Sequence, residues 1–183
     1  MRIGADGLAV DVPFLASPNC DDRPPGATVE LLVIHAISLP PGEFGGPGID
    51  ELFLNRLSPA EHPYYAQLAG LKVSAHFVVR RDGAVTQFVS CRKRAWHAGE
   101  SSWRGRGRCN DYSIGIELEG GGDVPFEAPQ YDVLVRLTGA LRLAYPIVDI
   151  AGHSEIAPGR KTDPGSHFDW ARYRSALAAN STR

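Results

Sequence analysis

The sequence predicts a single α/β domain in which a central mixed β-sheet is flanked by helices. Three observations support this fold class. Apolar runs typical of buried strands alternate along the chain with amphipathic stretches of helical period. A β-hairpin signature lies among them, which adds an antiparallel strand to the sheet. The length of 183 residues and a hydrophobic content of 43% suffice for one buried core, which we expect over residues 28–178 of a domain spanning 1–183.

The first predicted elements surround a histidine. Residues 28–37 (TVELLVIHAI) show little alternation, which predicts a strand buried on both faces with His35 near its carboxyl end. Residues 39–48 are rich in proline and glycine and predict an ordered loop. In residues 49–57 the apolar positions recur at helical spacing, so a helix follows the loop.

The middle of the chain predicts a hairpin and a second buried strand. Two β-rich runs in residues 74–89 are joined across Asp82 and Gly83, a dipeptide typical of tight hairpin turns. Residues 112–118 (YSIGIEL) alternate strictly between two faces. One face carries Ile114, Ile116 and Leu118, and the other carries Ser113, Gly115 and Glu117.

The last third of the chain predicts helix, strand and helix. Residues 129–145 place their apolar side chains on one helical stripe, with proline in the first turn. Residues 147–153 (IVDIAGH) predict a short buried strand that ends at a second histidine, His153. Residues 168–179 (FDWARYRSALAA) predict a closing helix.

Composition excludes several classes of protein. A net charge of −2 gives no overall attraction to nucleic acid or to an anionic membrane. The N-terminal residues lack the apolar run of an export signal, and we find no stretch long enough to span a bilayer. Three widely spaced cysteines suggest neither a disulfide framework nor a cysteine zinc site. We therefore expect a soluble, cytoplasmic protein, a monomer, without nucleic-acid or membrane partners.

Charge is nevertheless uneven along the chain. Residues 92–108 contain six lysines and arginines against a single acid, Glu100. Such a run is usually a solvated face, but it could also bind carboxylates or phosphates of a ligand. Both interpretations remain open on the sequence.

Three side chains predict a metal site. His35 and His153 end two inferred strands, and Asp163 follows ten residues after His153 in a loop rich in glycine and proline. Two imidazoles and one carboxylate leave a coordination position open for water, which is the arrangement of catalytic zinc. His35 could instead be a core histidine, and Asp163 could simply start a turn. The rival histidine ligands are His62, His76, His97 and His167.

Metal-assisted hydrolysis of an amide also needs a proton acceptor and a stabiliser of the oxyanion. Glu117 is the candidate acceptor, because it lies on the face of its strand that carries no isoleucine and its neighbour Gly115 leaves room above the sheet. Lys161 shares a side with Asp163 if that segment is extended, and its cation could stabilise a tetrahedral intermediate. Taken alone, Glu117 could instead be a solvated strand residue, and Lys161 would ordinarily be interpreted as solvent-exposed.

Five stretches, together spanning roughly residues 31–174, carry a family resemblance. They are VIHAISLPPGEFGGPGID, VSAHFVVRRDG, RAWHAGESSWRGRGRCNDYSIGIELEG, GHSEIAPGRKTDPG and FDWARYR. In this order they resemble the cytoplasmic AmpD-type N-acetylmuramoyl-L-alanine amidases, which share a fold with peptidoglycan-recognition proteins and phage-lysozyme-type amidases.

The resemblance implies a zinc amidase that cuts the bond between the lactyl group of 1,6-anhydro-N-acetylmuramic acid and L-alanine of the stem peptide. It implies zinc ligation by His35, His153 and Asp163, catalysis by Glu117 and Lys161, and a role in cell-wall recycling linked to β-lactamase regulation. The candidate substrate contacts are Lys72, Trp96, His97 and Arg108.

Two positions depart from the pattern expected of close relatives. Ala36 stands where we expect asparagine, and Lys72 stands where we expect arginine. Alanine offers no hydrogen bond to a substrate amide, and lysine lacks the bidentate fork of arginine. We therefore expect these departures to affect substrate affinity more than chemistry.

Two other functions are compatible with parts of the pattern. A sensor of wall fragments would share the fold and bind without cutting, but such sensors typically lack a metal ligand, and all three candidates are present here. A two-histidine, one-carboxylate iron oxygenase would place a histidine and a carboxylate one residue apart. The segment HSE (His153 to Glu155) fits that spacing, although its neighbours match the amidase pattern far better.

Overall fold

The structure is a computed structural model, and it describes residues 1–121 and 124–180. Its strands are β1 (Cys20–Asp22), β2 (Leu31–Ile37), β3 (Phe77–Val79), β4 (Val85–Gln87), β5 (Lys93–Ala95), β6 (Ser102–Trp103), β7 (Arg106–Gly107), β8 (Ser113–Glu119) and β9 (Asp149–Gly152). Its helices are α1 (Gly48–Phe53), α2 (Pro63–Gln67), α3 (Ala128–Ala144), α4 (His153–Ile156) and α5 (Trp170–Asn180), with a 3-10 turn at Cys109–Asp111.

Five strands form the central sheet in the order β4-β3-β8-β2-β9. Strands β3, β8, β2 and β9 pair in parallel, and β4 pairs with β3 in the antiparallel sense across the predicted Asp82-Gly83 turn. The sheet is therefore mixed and flanked by helices, as the sequence predicts. Its register places His35 directly beside Glu117 on the neighbouring strand.

The two faces of the sheet have different functions. Ile114, Ile116 and Leu118 lie in the largest hydrophobic cluster together with α3 and α5, which cover this face. On the opposite face, Leu31 and Val33 pack with residues from the 3-10 turn and α4. Because side chains alternate along a strand, His35 and Glu117 project from this second face, beside α4. The alternation predicted for residues 112–118 is confirmed.

One predicted helix is shorter than its apolar stripe. The stripe extends to residue 57, but α1 ends at Phe53 and Asn55 adopts a left-handed backbone with φ of 58°. The Asn55 amide donates to the Leu52 carbonyl and the Arg56 amide donates to the Glu51 carbonyl, which is the hydrogen-bond pattern of a Schellman motif. This C-terminal cap stops the helix although the apolar spacing continues.

The helix predicted at 129–145 is confirmed as α3. Its first turn is closed by a reciprocal cap between Glu127 and Gln130, and its proline stands near the N-terminus, where no amide donor is needed. The closing helix is confirmed as α5, and residues 147–153 contain strand β9. None of the described helices combines the length and the apolar character needed to cross a membrane.

Candidate metal and catalytic site

Three predicted ligands meet at the carboxyl ends of adjacent parallel strands. His35 is the fifth of the seven residues of β2, and His153 follows directly after β9 as the first residue of α4. Pairing between these strands ends at Ile34 and Gly152, so each histidine directly follows the last paired residue and the two rings lie side by side. Asp163 reaches the same point from the loop after α4.

The three donor atoms form a compact triangle. His35 Nδ1 lies 2.9 Å from His153 Nδ1 and 3.2 Å from Asp163 Oδ2, and His153 Nδ1 lies 3.1 Å from the same oxygen. Ligands on a tetrahedral zinc ion at bond lengths near 2.0 Å are separated by about 3.3 Å. The spacing therefore fits three ligands of one ion, and these residues form a group able to hold a metal.

The burial and the charge of the three groups also favour binding of a cation. Both imidazoles are buried, and burial together with the neighbouring His153 lowers the pKa of His35 to about 4. Burial by itself would raise the pKa of Asp163, but its contacts with His153 and His35 hold it below the ordinary range. Two buried ring nitrogens and the ionised Asp163 carboxylate thus converge on one point, which a positive ion would stabilise.

Glu117 lies beside this triangle on β8. One of its carboxylate oxygens, Oε2, is enclosed and has no hydrogen-bond partner. Burial, followed by repulsion from Asp163, raises the pKa of Glu117 well above its ordinary value, while Lys161 lowers it in part. A carboxyl group with a raised pKa retains its proton to higher pH than an ordinary glutamate does, which suits a group that accepts and returns a proton.

Lys161 is an exposed residue in the loop that carries Asp163. Its charge acts on both Glu117 and His35, which places its ammonium group within electrostatic range of the site. The loop itself is tied to the fold, because the Ser154 amide donates to the Asp163 carbonyl at 2.8 Å and the Lys161 amide donates to the Ala157 carbonyl at 3.0 Å. The structure thus joins His35, His153 and Asp163 in one triangle, with Glu117 on the strand beside His35 and Lys161 in the loop that carries Asp163.

Two of the rival histidines have other roles in the structure. His76 is buried, accepts a hydrogen bond from the Gly115 amide at Nδ1 and lies 3.1 Å from the Lys93 carbonyl at Nε2. His62 caps the N-terminus of α2 by accepting a hydrogen bond from the Tyr64 amide. His97 contacts His35 but stands outside the triangle, because its Nδ1 lies 2.9 Å from the far nitrogen of that ring.

The four expected substrate contacts occupy different environments. Lys72 is exposed and lines a small apolar cavity with residues of the α2 region. Trp96 is partly buried and its indole nitrogen donates to Asp21 at 3.2 Å. Arg108 is 74% exposed and bound through Nε to Asp111. His97 is 9% exposed and lies against the metal site. Their contacts with a substrate remain predictions.

Ala36 lies on the face of the sheet opposite the metal site. Its methyl group packs against the hydrophobic cluster that includes α3, whereas the preceding His35 points to the metal site. A hydrogen-bonding side chain at this position would therefore start from the face directed away from the metal.

Tertiary structure neutralises much of the cationic run at residues 92–108. Acids from other parts of the chain pair with its members. The pairs are Lys93 with Asp22, Arg94 with Asp21 and Asp111, Arg104 with Asp149, Arg106 with Glu30, and Arg108 with Asp111. Of the two interpretations of this run, a solvated face with ion pairs accounts for most of its charge.

Sequence reasoning missed three residues that support the site. The Asn110 side-chain oxygen accepts hydrogen bonds from the amides of His97 and Ala98, at 3.2 and 2.8 Å. Arg160 donates to the Ala98 carbonyl at 2.6 Å, and Ser113 Oγ lies 3.2 Å from His97 Nε2. All three contact His97 or Ala98. No spacing in the sequence signals these contacts, because the partners are backbone groups or side chains distant along the chain.

Comparison with known proteins gives concordant matches. The model of the N-acetylmuramoyl-L-alanine amidase family matches residues 25–166. A 1,6-anhydro-N-acetylmuramyl-L-alanine amidase, AmpD, of Citrobacter freundii is 51% identical over 96% of this chain and 95% of its own. The crystal structure of a Se-Met AmpD derivative is 51% identical and has a TM-score of 0.94, covering 97% of this chain and 99% of its own.

A solved complex extends the comparison. It contains the Escherichia coli amidase AmiD with the substrate anhydro-N-acetylmuramic acid-L-Ala-D-γ-Glu-L-Lys. This structure is 32% identical, has a TM-score of 0.59, and covers 84% of this chain and 60% of its own. The fold and the AmpD-type resemblance expected from the motifs are confirmed, and the chain belongs to the N-acetylmuramoyl-L-alanine amidase family.

Proposed function

We propose that this amidase is zinc-dependent and hydrolyses the amide between the lactyl group of 1,6-anhydro-N-acetylmuramic acid and L-alanine of the stem peptide. The observation that carries the proposal is the triangle of three donor atoms, 2.9–3.2 Å apart, beside the unpartnered carboxylate of Glu117. The names of the AmpD relatives and the AmiD complex support the choice of substrate.

His35, His153 and Asp163 would hold the ion and leave one coordination position free. Zinc bound in this way lowers the pKa of a bound water toward about 7 and polarises a carbonyl oxygen. This donor set excludes a soft thiolate site, since it contains no cysteine.

Glu117 and Lys161 would perform the proton and charge steps. The enclosed Oε2 of Glu117 takes the proton of the attacking water and later passes it to the leaving alanine nitrogen. The Lys161 ammonium group stabilises the negative charge that develops on the lactyl carbonyl oxygen. The amide bond breaks, and the products are a free carboxylate on the sugar and a free amino group on the stem peptide.

The remaining parts of the proposal follow from the family resemblance. We assign the enzyme to recycling of cell-wall fragments in the cytoplasm, with a connection to β-lactamase regulation and action as a monomer on a small muropeptide. Lys72, Trp96, His97 and Arg108 are proposed to contact that substrate.

The test is mass-spectrometric detection of stem peptide released from purified anhydro-muropeptide. We expect release that a chelator stops and added zinc restores. Glu117→Gln should retain zinc and lose nearly all turnover, whereas Glu61→Gln, an exposed carboxylate on a surface loop, should remain fully active. Absence of release from zinc-loaded protein would refute the assigned substrate, and full activity of Glu117→Gln would remove Glu117 from the mechanism.

A further inference from the structure

A two-residue segment, His97 and Ala98, contacts both candidate histidine ligands at Nε2, the ring nitrogen that lies outside the donor triangle. His97 Nδ1 lies 2.9 Å from His35 Nε2, and the two rings meet edge to face with centroids 5.0 Å apart. The Ala98 carbonyl oxygen lies 3.2 Å from His153 Nε2. One short piece of backbone therefore reaches the far nitrogen of each ligand ring.

These contacts bear on which nitrogen of each ring carries a proton, and the carbonyl of Ala98 fixes the donor for His153. A carbonyl oxygen only accepts hydrogen bonds, so His153 must donate from Nε2 to Ala98, and its Nδ1 keeps a free electron pair when the ring is neutral. If His35 donates from Nε2 to His97 Nδ1, which is the direction assigned in the proposal below, its own Nδ1 is likewise free. His97 then donates from Nε2 to the Ser113 hydroxyl.

The segment is itself held in place by several groups. Asn110 Oδ1 accepts from the amides of both His97 and Ala98, and Arg160 donates to the Ala98 carbonyl. The Asn110 carbonyl in turn accepts a hydrogen bond from the partly buried guanidinium of Arg23 at 3.1 Å. The segment is therefore fixed independently of the ligand rings that it touches.

Gly115 makes this placement of His97 possible. A Cβ atom on Gly115 would lie 2.5 Å from His97 Cγ, so any side chain there would displace the imidazole ring. His97 fills the space above β8 that the glycine leaves, and its Nδ1 there lies 2.9 Å from His35 Nε2. The absence of a side chain at 115 and the position of the ring are thus coupled.

We propose that the His97–Ala98 segment, fixed by the Asn110 carboxamide, positions both histidine ligands and directs both Nδ1 electron pairs to the metal. The inference rests on the proposed zinc dependence and assigns His97 a positioning role in addition to its predicted contact with substrate. Removal of such outer hydrogen-bond partners typically weakens metal binding by about 10–100-fold.

The first experiment compares zinc dissociation constants, measured by competition with a chromophoric chelator. His97→Leu removes the acceptor for His35, whereas His97→Asn keeps an acceptor atom at the position of Nδ1. We expect the leucine variant to bind zinc at least about tenfold more weakly and the asparagine variant to recover most of the affinity. His62→Leu, which removes a histidine that caps α2, should leave zinc affinity unchanged.

Asn110 provides a second pair of variants. Asn110→Ala removes the oxygen that holds the two amides, and Asn110→Asp retains it. We expect weaker zinc binding only in the alanine variant, with circular dichroism used to confirm that each protein is folded. If His97 acted on substrate alone, His97→Leu would raise KM and leave the zinc dissociation constant unchanged, and that result would overturn the proposal.

Nitrogen-15 NMR of the zinc-loaded wild-type protein tests the same proposal without a variant. We expect His35, His97 and His153 all to carry their proton on Nε2. A proton on His35 Nδ1 in the zinc-loaded protein would contradict the assignment. If the wild-type protein fails to bind zinc, the proposed metal dependence is wrong. If it binds zinc while His97→Leu and Asn110→Ala are folded and unaffected, only the positioning role is wrong.

Discussion

At the residue scale, the carboxyl group of Glu117, the proposed proton acceptor, lies in an environment that lowers the stability of the folded protein. It lies on the site face of β8 with one enclosed oxygen that lacks a hydrogen-bond partner, and Asp163 adds a second negative charge nearby. Ionised carboxylates in such surroundings lower the stability of the folded state. The same environment gives the carboxyl group its raised pKa and so its capacity to exchange protons.

The raised pKa of Glu117 predicts that Glu117→Gln changes the free energy of unfolding of the metal-free protein in a pH-dependent way. Because the folded-state pKa is raised, the folded protein binds this proton more tightly than the unfolded chain does. The favourable contribution is complete below the ordinary glutamate pKa of about 4.3 and is lost as the pH rises through the folded-state pKa. At neutral pH the glutamine variant should therefore be more stable, by about 1–3 kcal/mol.

Urea unfolding of both metal-free proteins between pH 4 and 8 measures this difference. The gain in the free energy of unfolding should increase with pH for Glu117→Gln. Glu61→Gln, a substitution at an exposed site, should show a small difference throughout. A stabilisation by Glu117→Gln that is independent of pH would contradict the raised pKa as its cause.

At the scale of elements, the loop between β2 and α1 depends on a buried carboxylate at the end of β8. Glu119 is 2% exposed and accepts hydrogen bonds from the Gly45 amide at 2.7 Å and from Arg80 at 2.9 Å. Arg80 also pairs with Asp50 on α1 at 2.6 Å. This network ties the loop that follows His35 to the hairpin β3-β4 and to α1.

Glu119→Ala should therefore destabilise the protein by about 3 kcal/mol, at the lower end for broken buried ion pairs because Arg80 keeps Asp50 as a partner. The matched control is Asp22→Ala, which breaks an exposed surface pair with Lys93 and should lower the free energy of unfolding far less. The free energies of unfolding in urea measure both effects. Equal losses from the two substitutions would show that the buried network contributes nothing special.

At the scale of the whole molecule, the candidate metal joins parts of the chain that are distant in sequence. His35 is separated from His153 by 118 residues and from Asp163 by 128 residues. The unfolded chain does not hold these three side chains together, so a bound ion stabilises mainly the folded state.

Removal of zinc should accordingly lower Tm. At a free zinc concentration about 1,000 times the dissociation constant, binding contributes about 4 kcal/mol to the free energy of unfolding. Differential scanning calorimetry with and without chelator measures the shift. Asp163→Ala should remove most of the dependence of Tm on zinc, and a wild-type Tm that does not respond to zinc would exclude the three residues as a metal site.

Much of the fold could be predicted because local patterns specify it. The alternation in residues 112–118 identified the two faces of β8, and the apolar stripe of residues 129–145 identified α3. These predictions succeeded because side-chain periodicity follows directly from the geometry of strands and helices. The end of α1 was mispredicted, since the Schellman cap at Asn55 depends on one residue that interrupts an otherwise continuous stripe.

The three candidate metal ligands could be selected from the sequence, but the hydrogen bonds that hold the residues behind them could not. Motif residues and strand ends were enough to select His35, His153 and Asp163, because parallel strands bring their carboxyl ends to one edge of a sheet. The hydrogen bonds from Asn110 and Arg160 to the His97–Ala98 segment have no counterpart in local sequence spacing.

The charged residues show most clearly what the sequence determines and what only the tertiary structure determines. Residues 92–108 look strongly basic in the sequence, yet acids from five other positions pair with their side chains in the fold. Amino-acid order specifies which segments become strands and helices, since periodicity is a local property. Which charges are neutralised, and which nitrogen of each histidine points into the candidate metal site, depends on contacts between distant segments, and these exist only once the chain has folded.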